Sequence, residues 1–426
     1  MAFLFTAWAA LVVLAMPVAL TLGVATLLYM VWSGLPLVVI PQRMIGGLDS
    51  FPLLAVPFFI LAGNLMNTAG ITDRIFHFSH ALIGHVRGGL AHVNVIASVI
   101  FSGMSGSAVA DAGGLGAMEI KAMHEAGYTK AFAGAVTVAS CIIGPLIPPS
   151  IPMVFYGVLA DTSIGRLFLG GVVPGLMTAA ALMIMIHVMA GRRNFPVGHR
   201  MTWAETATVT KAAFLPLLTP FIIIGGITGG VFSPTEAAVI ASLYALVLGT
   251  VVYRELDAAR LWDVFLRTGR TTASICFIIA CASAFAWLLA TLQIPQKAAA
   301  VLVGITRDPL GLLLIVNAAV FVAGFFLEGL VIMILVVPVM MPTMAAVGID
   351  PVHFGVVLVF NLMIGLMTPP MGVGLFVVSG VSGVKVEALV KEVFPFLLPL
   401  LVVLVLLIVF PVLVTGLPDL VLGVER

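Results

Sequence analysis

The chain of 426 residues is 62% hydrophobic and 9% charged, with a formal charge of +1, whereas an ordinary soluble domain carries about 25% charged residues. That composition belongs in a bilayer, and the near-neutral charge offers no basic surface for nucleic acid. No GxxxxGK[ST] or HExxH stretch occurs and no two cysteines stand at ligand spacing, which excludes a built-in nucleotide motor and a transition-metal centre.

Apolar runs of about 20 residues cross a membrane as helices, and in chain order they fall near 4–32, 49–66, 131–157, 166–190, 212–230, 235–252, 271–294, 352–378 and 394–416. The opening "MAFLFTAWAALVVLAM" has no Lys or Arg before it and no clear cleavage site, so it reads as a retained first span. Two other apolar stretches, about 88–118 and 310–347, carry a Gly-rich or acidic break at mid-length, and each is expected to enter and leave on one side as a hairpin. Cys141, Cys276 and Cys281 lie inside apolar runs and read as reduced core residues. Ser233 or Thr235 before Glu236 marks a helix cap. The segment "RELDAARLWDVFLRTGR", 254–270, mixes charge with Leu, Trp and Phe at helical spacing and reads as an interfacial amphipathic helix.

Cytoplasmic loops are enriched in Lys and Arg. In this layout one side collects Arg74, Arg87, Lys121, Lys130, Arg192, Arg193, Arg200, Lys211, Arg254, Arg260, Arg267, Arg270, Lys385 and Lys391, while the other keeps Arg43, Arg166, Lys297, Arg307 and Arg426. The asymmetry predicts an inner N-terminus and an outer C-terminus.

"GPLIPPSIP" at Gly144 and "GLMTPPMGV" at Gly365 align gaplessly at an offset of 221 residues, from Pro148 to Pro369 and from Pro149 to Pro370. The same offset pairs Gly103 with Gly324, Gly127 with Gly348, Gly134 with Gly355 and Pro174 with Pro395. Such a series of special-backbone residues reads as a duplication. Four crossings separate the two proline-broken helices, so the copies run in opposite directions. Inverted halves with matching Gly/Pro interruptions point to the midplane site of a secondary transporter. The expected units are a first repeat over 49–190, connecting spans, loop and interfacial helix over 191–270, and a second repeat over 271–416, all within one integral membrane unit.

Proline has no N–H, so Pro148 and Pro149 withhold helical bonds from the carbonyls of Gly144 and Pro145, and Pro369 and Pro370 from those of Gly365 and Leu366. Unpaired carbonyls in hydrocarbon cost several kcal/mol each. Dehydrated Na⁺, a hard cation satisfied by neutral oxygens, suits that gap; a proline kink met by Ser, Thr or water is the structural alternative. A first sodium shell is expected from the tip serines Ser105 and Ser107 with Gly144, Ile147 and Ser150. The second would use Gly324 with Gly365, Thr368 and Met371. Local helix bonding is the other reading of the serines. Asp111 and Glu328 are acids inside these apolar stretches, expected to line an ion or substrate path or to pair with a helix end or an arginine.

The motifs "FSGMSGSAVADAGGLG", "EAGYTKAFAGAVTVAS", "IGPLIPPSIPMVFYG", "SIGRLFLGGVVPG", "SPTEAA", "GIDPVHFG" and "NLMIGLMTPP" occur in order across nearly the whole chain. Together they resemble the large membrane subunit of the tripartite ATP-independent periplasmic (TRAP) transporters. The resemblance implies a sodium-coupled importer of organic acids in a bacterial inner membrane, moving by an elevator of hairpins and broken helices against a scaffold. It also implies a small membrane subunit, here expected as a separate chain, and a periplasmic substrate-binding protein. It carries the sodium ligands onto the residues named above and gives Asp111 and Glu328 functional roles beside them. The second tip, "GFFLEG", has no serine pair. The substrate classes that suit an anion site of helix ends and neutral donors are C4-dicarboxylates, sugar acids such as sialic acid, and keto acids. A stand-alone sodium:divalent-anion symporter is the alternative. An intramembrane hydrolase is disfavoured, since no His lies near Ser105 or Ser107 in sequence.

Overall fold

A computed structural model describes residues 2–424 except Ala15, Asn194, His199 and Met371. Its described residues form helices and no strand, apart from one isolated bridge between Arg87 and Val197. The N-terminal part comprises α1 (Ala2–Val13), α2 (Val18–Ser33), α3 (Val39–Leu48), α4 (Ala55–Thr68) and α5 (Ile71–Ile83). Next come α6 (Gly89–Ser105), α7 (Ala108–Gly113), α8 (Leu115–Glu125), α9 (Lys130–Cys141), α10 (Ile151–Leu159) and α11 (Ile164–Arg193). The middle holds α12 (Trp203–Thr228), α13 (Pro234–Val247) and α14 (Ala258–Thr291). The remainder is α15 (Ile294–Ile305), α16 (Pro309–Ala323), α17 (Gly329–Ala346), α18 (Pro351–Leu366), α19 (Val373–Ser382), α20 (Val386–Val409) and α21 (Val412–Leu422). Seven helical segments among the described residues are long and apolar enough to cross a bilayer singly. The helices on either side of each proline-rich break are not among them, because the break divides a span in two.

Three expectations change. The run 4–32 is two helices and not one crossing: the chain turns at Pro17, α1 packs on α2, and Phe3 stacks on Trp32 with ring centroids 5.2 Å apart. A proline cannot take the N–H place in a continuing helix, and here the chain reverses there. Residues 254–270 form no separate interfacial helix; from Ala258 they are the first turns of α14, whose 34 residues begin after an Asp257 cap and meet no proline. At about 1.5 Å per residue that helix is about 51 Å long and outreaches the hydrocarbon, so its charged first turns stand clear of it. The last expected span, 394–416, is divided between α20 and α21 at Phe410–Pro411. The short helices α3, α5 and α15 lie where no element was expected, and the return limb of the first hairpin continues past 118 to Glu125.

Two groupings organise the packing. Helices α2, α3, α4, α5, α12, α13 and α14 pack serially on one another, with Ser242 donating to the Phe58 carbonyl and Tyr244 to that of Leu215. At one end of this group the Arg74 guanidinium lies 3.9 Å from the Tyr253 ring centroid and bridges to Glu255. Helices α6 to α10 and α16 to α19 share the largest buried core, together with α11, α20 and one face of α4 and α13. Between them α11 is tied to the C-terminal helices at both ends: Arg166 to Asp419 and the Gly423 carbonyl, Arg193 to Glu392.

The two proline-broken helices brace each other. Tyr156 of α10 donates to the Pro351 carbonyl at 2.7 Å, and its ring fills the space beside Gly355, where a Cβ would fall 2.2 Å from the ring. At the offset-matched position, Gly134 of α9 faces Leu389 and Val378. Tyr156→Phe removes this part-buried hydrogen bond and is expected to cost about 0.5–1.5 kcal/mol, while Gly355→Ala forces the ring to move and costs more. Thermal unfolding of the purified protein, read against wild type, checks the order.

Candidate functional site

The first hairpin consists of α6, a tip at Ser105–Ser107, and the return limb α7–α8. Gly106 adopts φ 63°, a left-handed turn that glycine makes without steric cost, and it lets the chain reverse after Ser105. Ser107 then caps α7, its Oγ accepting from the Ala110 N–H at 3.4 Å. The tip docks on the break between α9 and α10. The Ile151 N–H donates to the Gly106 carbonyl at 3.3 Å, and a Cβ on Gly106 would lie 2.5 Å from the Pro149 carbonyl oxygen. Gly63 of α4 touches the Ser105 backbone and Pro220 of α12 fits against Gly103, so the helical frame backs the tip from behind.

Within the break, Pro148–Pro149 is a cis peptide, and the freed carbonyls have different fates. Ser150 caps α10 by accepting from the Met153 N–H, and its hydroxyl donates to the Pro145 carbonyl. Among the described residues no backbone N–H bonds the carbonyls of Gly144 or Ile147. Asp111 is buried, accepts from the Ser105 hydroxyl with Oδ1, and points its unpartnered Oδ2 at Gly144, where a Cβ would be 2.4 Å away. The tip thus brings Ser105, Asp111 and the backbone of Gly144–Ser150 together. The Ile147 side chain packs away from this cluster against Gly175 of α11.

The second break follows the same plan with different chemistry. Pro369–Pro370 is also cis, and Gly324 at the second tip lies against Gly365, each Cα about 3.3–3.4 Å from the other residue's Cβ position. The Gly365 carbonyl is not left free as expected, because the Thr368 N–H takes it at 3.1 Å in a tightened last turn, and the Thr368 hydroxyl donates to Ile364. Met371 lies outside the described residues. Glu328 occupies the N-cap position of α17 without a side-chain cap bond, and it is exposed. It is not gathered into an enclosed cluster as Asp111 is.

Several polar groups that the sequence reading passed over prove structural or central. Asn94 of α6 donates to Thr137 and accepts from Ser140 of α9; near the matching positions Asn361 donates to Asn317. These pairs lock each hairpin's first limb to its broken helix, and an asparagine in each otherwise apolar limb was the available signal. Glu119, buried in α8, was also missed. Glu236 does cap α13 in a reciprocal box with Ser233. Facing the exposed ends of α10 and α12, a crevice of about 670 Å³ is lined by Ser50, Asp161, Thr162, Ser163, Phe232 and Leu422 among others.

The chain matches the family described as "Tripartite ATP-independent periplasmic transporter, DctM component" over residues 5–413. It is 49% identical over 417 residues to the sialic acid TRAP transporter large permease protein SiaM of Vibrio cholerae, covering 98% of each chain. It is 39% identical to the C4-dicarboxylate TRAP transporter large permease protein DctM of Pseudomonas aeruginosa, covering 87% of each. Among solved structures, the crystal structure of the Alcanivorax borkumensis YdaH transporter superposes with a TM-score of 0.61 over 86% of both chains at 16% identity, a likeness of fold. On the family match and these relatives, the chain belongs to the tripartite ATP-independent periplasmic transporters as a large permease, the DctM component.

Proposed function

We propose that this chain is the membrane-embedded large subunit of a sodium-driven, binding-protein-dependent importer of organic acids. It is a multi-pass membrane transporter component and not an enzyme. The observation that carries the sodium assignment is the docking of the Ser105–Ser107 tip on the Gly144–Ser150 break. There, hydroxyls and unclaimed carbonyls converge in a buried space around the acid Asp111. Neutral oxygens with one negative charge nearby suit a small monovalent cation, and no organic cofactor is needed. The first sodium site takes Ser105, Ser107, Gly144, Ile147 and Ser150. The second takes Gly324, Gly365, Thr368 and Met371, with fewer carbonyls to spare because Thr368 has claimed that of Gly365.

The two halves are read as inverted repeats, each with a re-entrant hairpin and a broken helix, and their shared packing supports treating them as one moving body. The serially packed α2–α5 and α12–α14 make the frame, so transport is an elevator-like displacement of one against the other. The crevice of about 670 Å³ lies on that boundary, between α10–α11 and the α12–α13 turn. In this arrangement the basic loops face the cytoplasm of a bacterial inner membrane. Because α1 folds back along α2, the N-terminus emerges on the outer side together with the C-terminus, in place of the inner N-terminus that a single 4–32 crossing would give. A small membrane subunit and a periplasmic binding protein complete the transporter. The resemblance to the sialic acid permease favours a sugar acid as substrate over C4-dicarboxylates and keto acids.

Uptake of labelled sialic acid, a C4-dicarboxylate and a keto acid into liposomes, with and without sodium and each partner, tests this reading. Uptake that needs sodium and the binding protein is expected; sodium-driven uptake with the binding protein omitted would point to a stand-alone symporter. Gly144→Ala puts a methyl against the Asp111 carboxylate and is expected to lower uptake at least tenfold. Ser107→Ala is expected to raise the sodium concentration needed for half-maximal uptake several-fold while the protein still folds; an unchanged sodium dependence would remove Ser107 from the site.

A further inference from the structure

Glu119 is 1% exposed, on the α8 face that packs against α9. Gly116, one turn before it, fits so closely on Thr137 of α9 that a Cβ would lie 2.5 Å from the threonine methyl. The Oε1 atom of Glu119 has no hydrogen-bond partner, and no ion pair involving it occurs among the described residues. The neighbouring polar ladder is closed on itself, since Asn94, Thr137 and Ser140 satisfy one another. A carboxylate enclosed in this way costs many kcal/mol unless a cation or a proton neutralises it.

The surroundings supply no cation. Helix α7 brings Asp111, a second acid, and α9 brings the Cys141 thiol and, at its exposed first residue, Lys130. Helix α6 carries His92 near its start, and α19 has no titratable side chain. Helix α5 carries Asp73, Arg74, His77 and His80, with Arg74 committed to the Gly70 carbonyl, Glu255 and the Tyr253 ring. On α8 itself Lys121, His124 and Glu125 are exposed or half-exposed on the outward face. A second negative group nearby and no positive one make the neutral acid the form that fits.

We propose that Glu119 is a proton-binding site, occupied when α8 is packed on α9 and released when the two separate. Docking of the first hairpin's return limb is therefore proton-linked. The step is a simple dissociation: the O–H bond of the carboxylic acid breaks, the proton goes to water, and the carboxylate is left hydrated. The part concerning movement rests on reading residues 88–125 as a hairpin whose return limb can part from α9 within the mobile body; occupancy of the site in this conformation does not.

The sign follows from linkage. A carboxyl that keeps its proton in the packed state and loses it in the unpacked one makes packing weaker as pH rises. Thermal midpoints of the purified full chain and sodium-driven uptake in liposomes are measured from about pH 6 to pH 9 for wild type and Glu119→Gln, whose amide mimics the neutral acid in shape. Wild type is expected to lose thermal stability and rate as pH rises, and Glu119→Gln to flatten both slopes. The same slopes in variant and wild type would overturn the assignment. Should Glu119→Gln fail to accumulate, Glu119→Met, similar in volume and uncharged, takes its place. A wild-type midpoint that does not fall with pH overturns the assignment without any variant. Loss of sodium dependence in the uptake arm would instead strike the symporter reading, while the thermal arm, which needs no substrate, still decides Glu119.

Discussion

Every backbone polar group inside an apolar protein in a bilayer must find a partner, and that constraint governs where this fold can be broken. At Gly144–Ser150 the chain abandons helix and repays the lost bonds piecemeal: Ser150 serves both the Met153 N–H and the Pro145 carbonyl, and the Ile151 N–H reaches across to Gly106. The tip of one element is thus part of the hydrogen bonding of another. Moving the tip away would strand donors and acceptors on both, which ties the conformation of the hairpin to whatever fills the gap. The glycines at the contact follow from the same demand, because backbone can satisfy backbone only at distances that leave no room for a Cβ.

The two halves answer the constraint unequally. In the first, hydroxyls and an acid surround the break, and the carbonyls of Gly144 and Ile147 are among those without N–H partners in the described residues. In the second, glycine meets glycine, and Thr368 closes the last turn with its own N–H and hydroxyl. Both breaks hold a cis Pro-Pro bond and have an asparagine joining limb to helix, although Asn94 and Asn317 do not fall at the 221-residue offset, while the surrounding side-chain chemistry differs. Cross-bracing shows the same divergence: a hydrogen-bonded tyrosine ring fills the space at Gly355, and aliphatic side chains fill it at Gly134.

Much of this was legible in the sequence because glycine and proline report backbone geometry directly. The breaks could be read from them to within a few residues, and the capping role of Glu236 from Ser233 before it. Hydropathy failed where it could not see direction. Residues 2–33 carry no charge, and only Pro17 marks the place where the run turns and lets Phe3 return to Trp32. Amphipathic spacing in 254–270 looked like a separate interfacial helix, yet a long helix projecting beyond hydrocarbon has the same pattern. The fate of individual carbonyls was also beyond reach, since whether Thr368 or an ion takes the Gly365 oxygen depends on a local tightening of one turn. Glu119 escaped notice because "MEIKAMHEAG" reads as a polar loop edge, and only its packing against α9 makes it buried.

Helix α11 invites a mechanical reading. Thirty residues span about 45 Å at 1.5 Å per residue, and the ion pairs at Arg166 and Arg193 fasten both extremities to the C-terminal helices. A helix clamped near one end to α21 and near the other to α20 can neither slip by one residue nor roll about its axis without releasing both clamps at once.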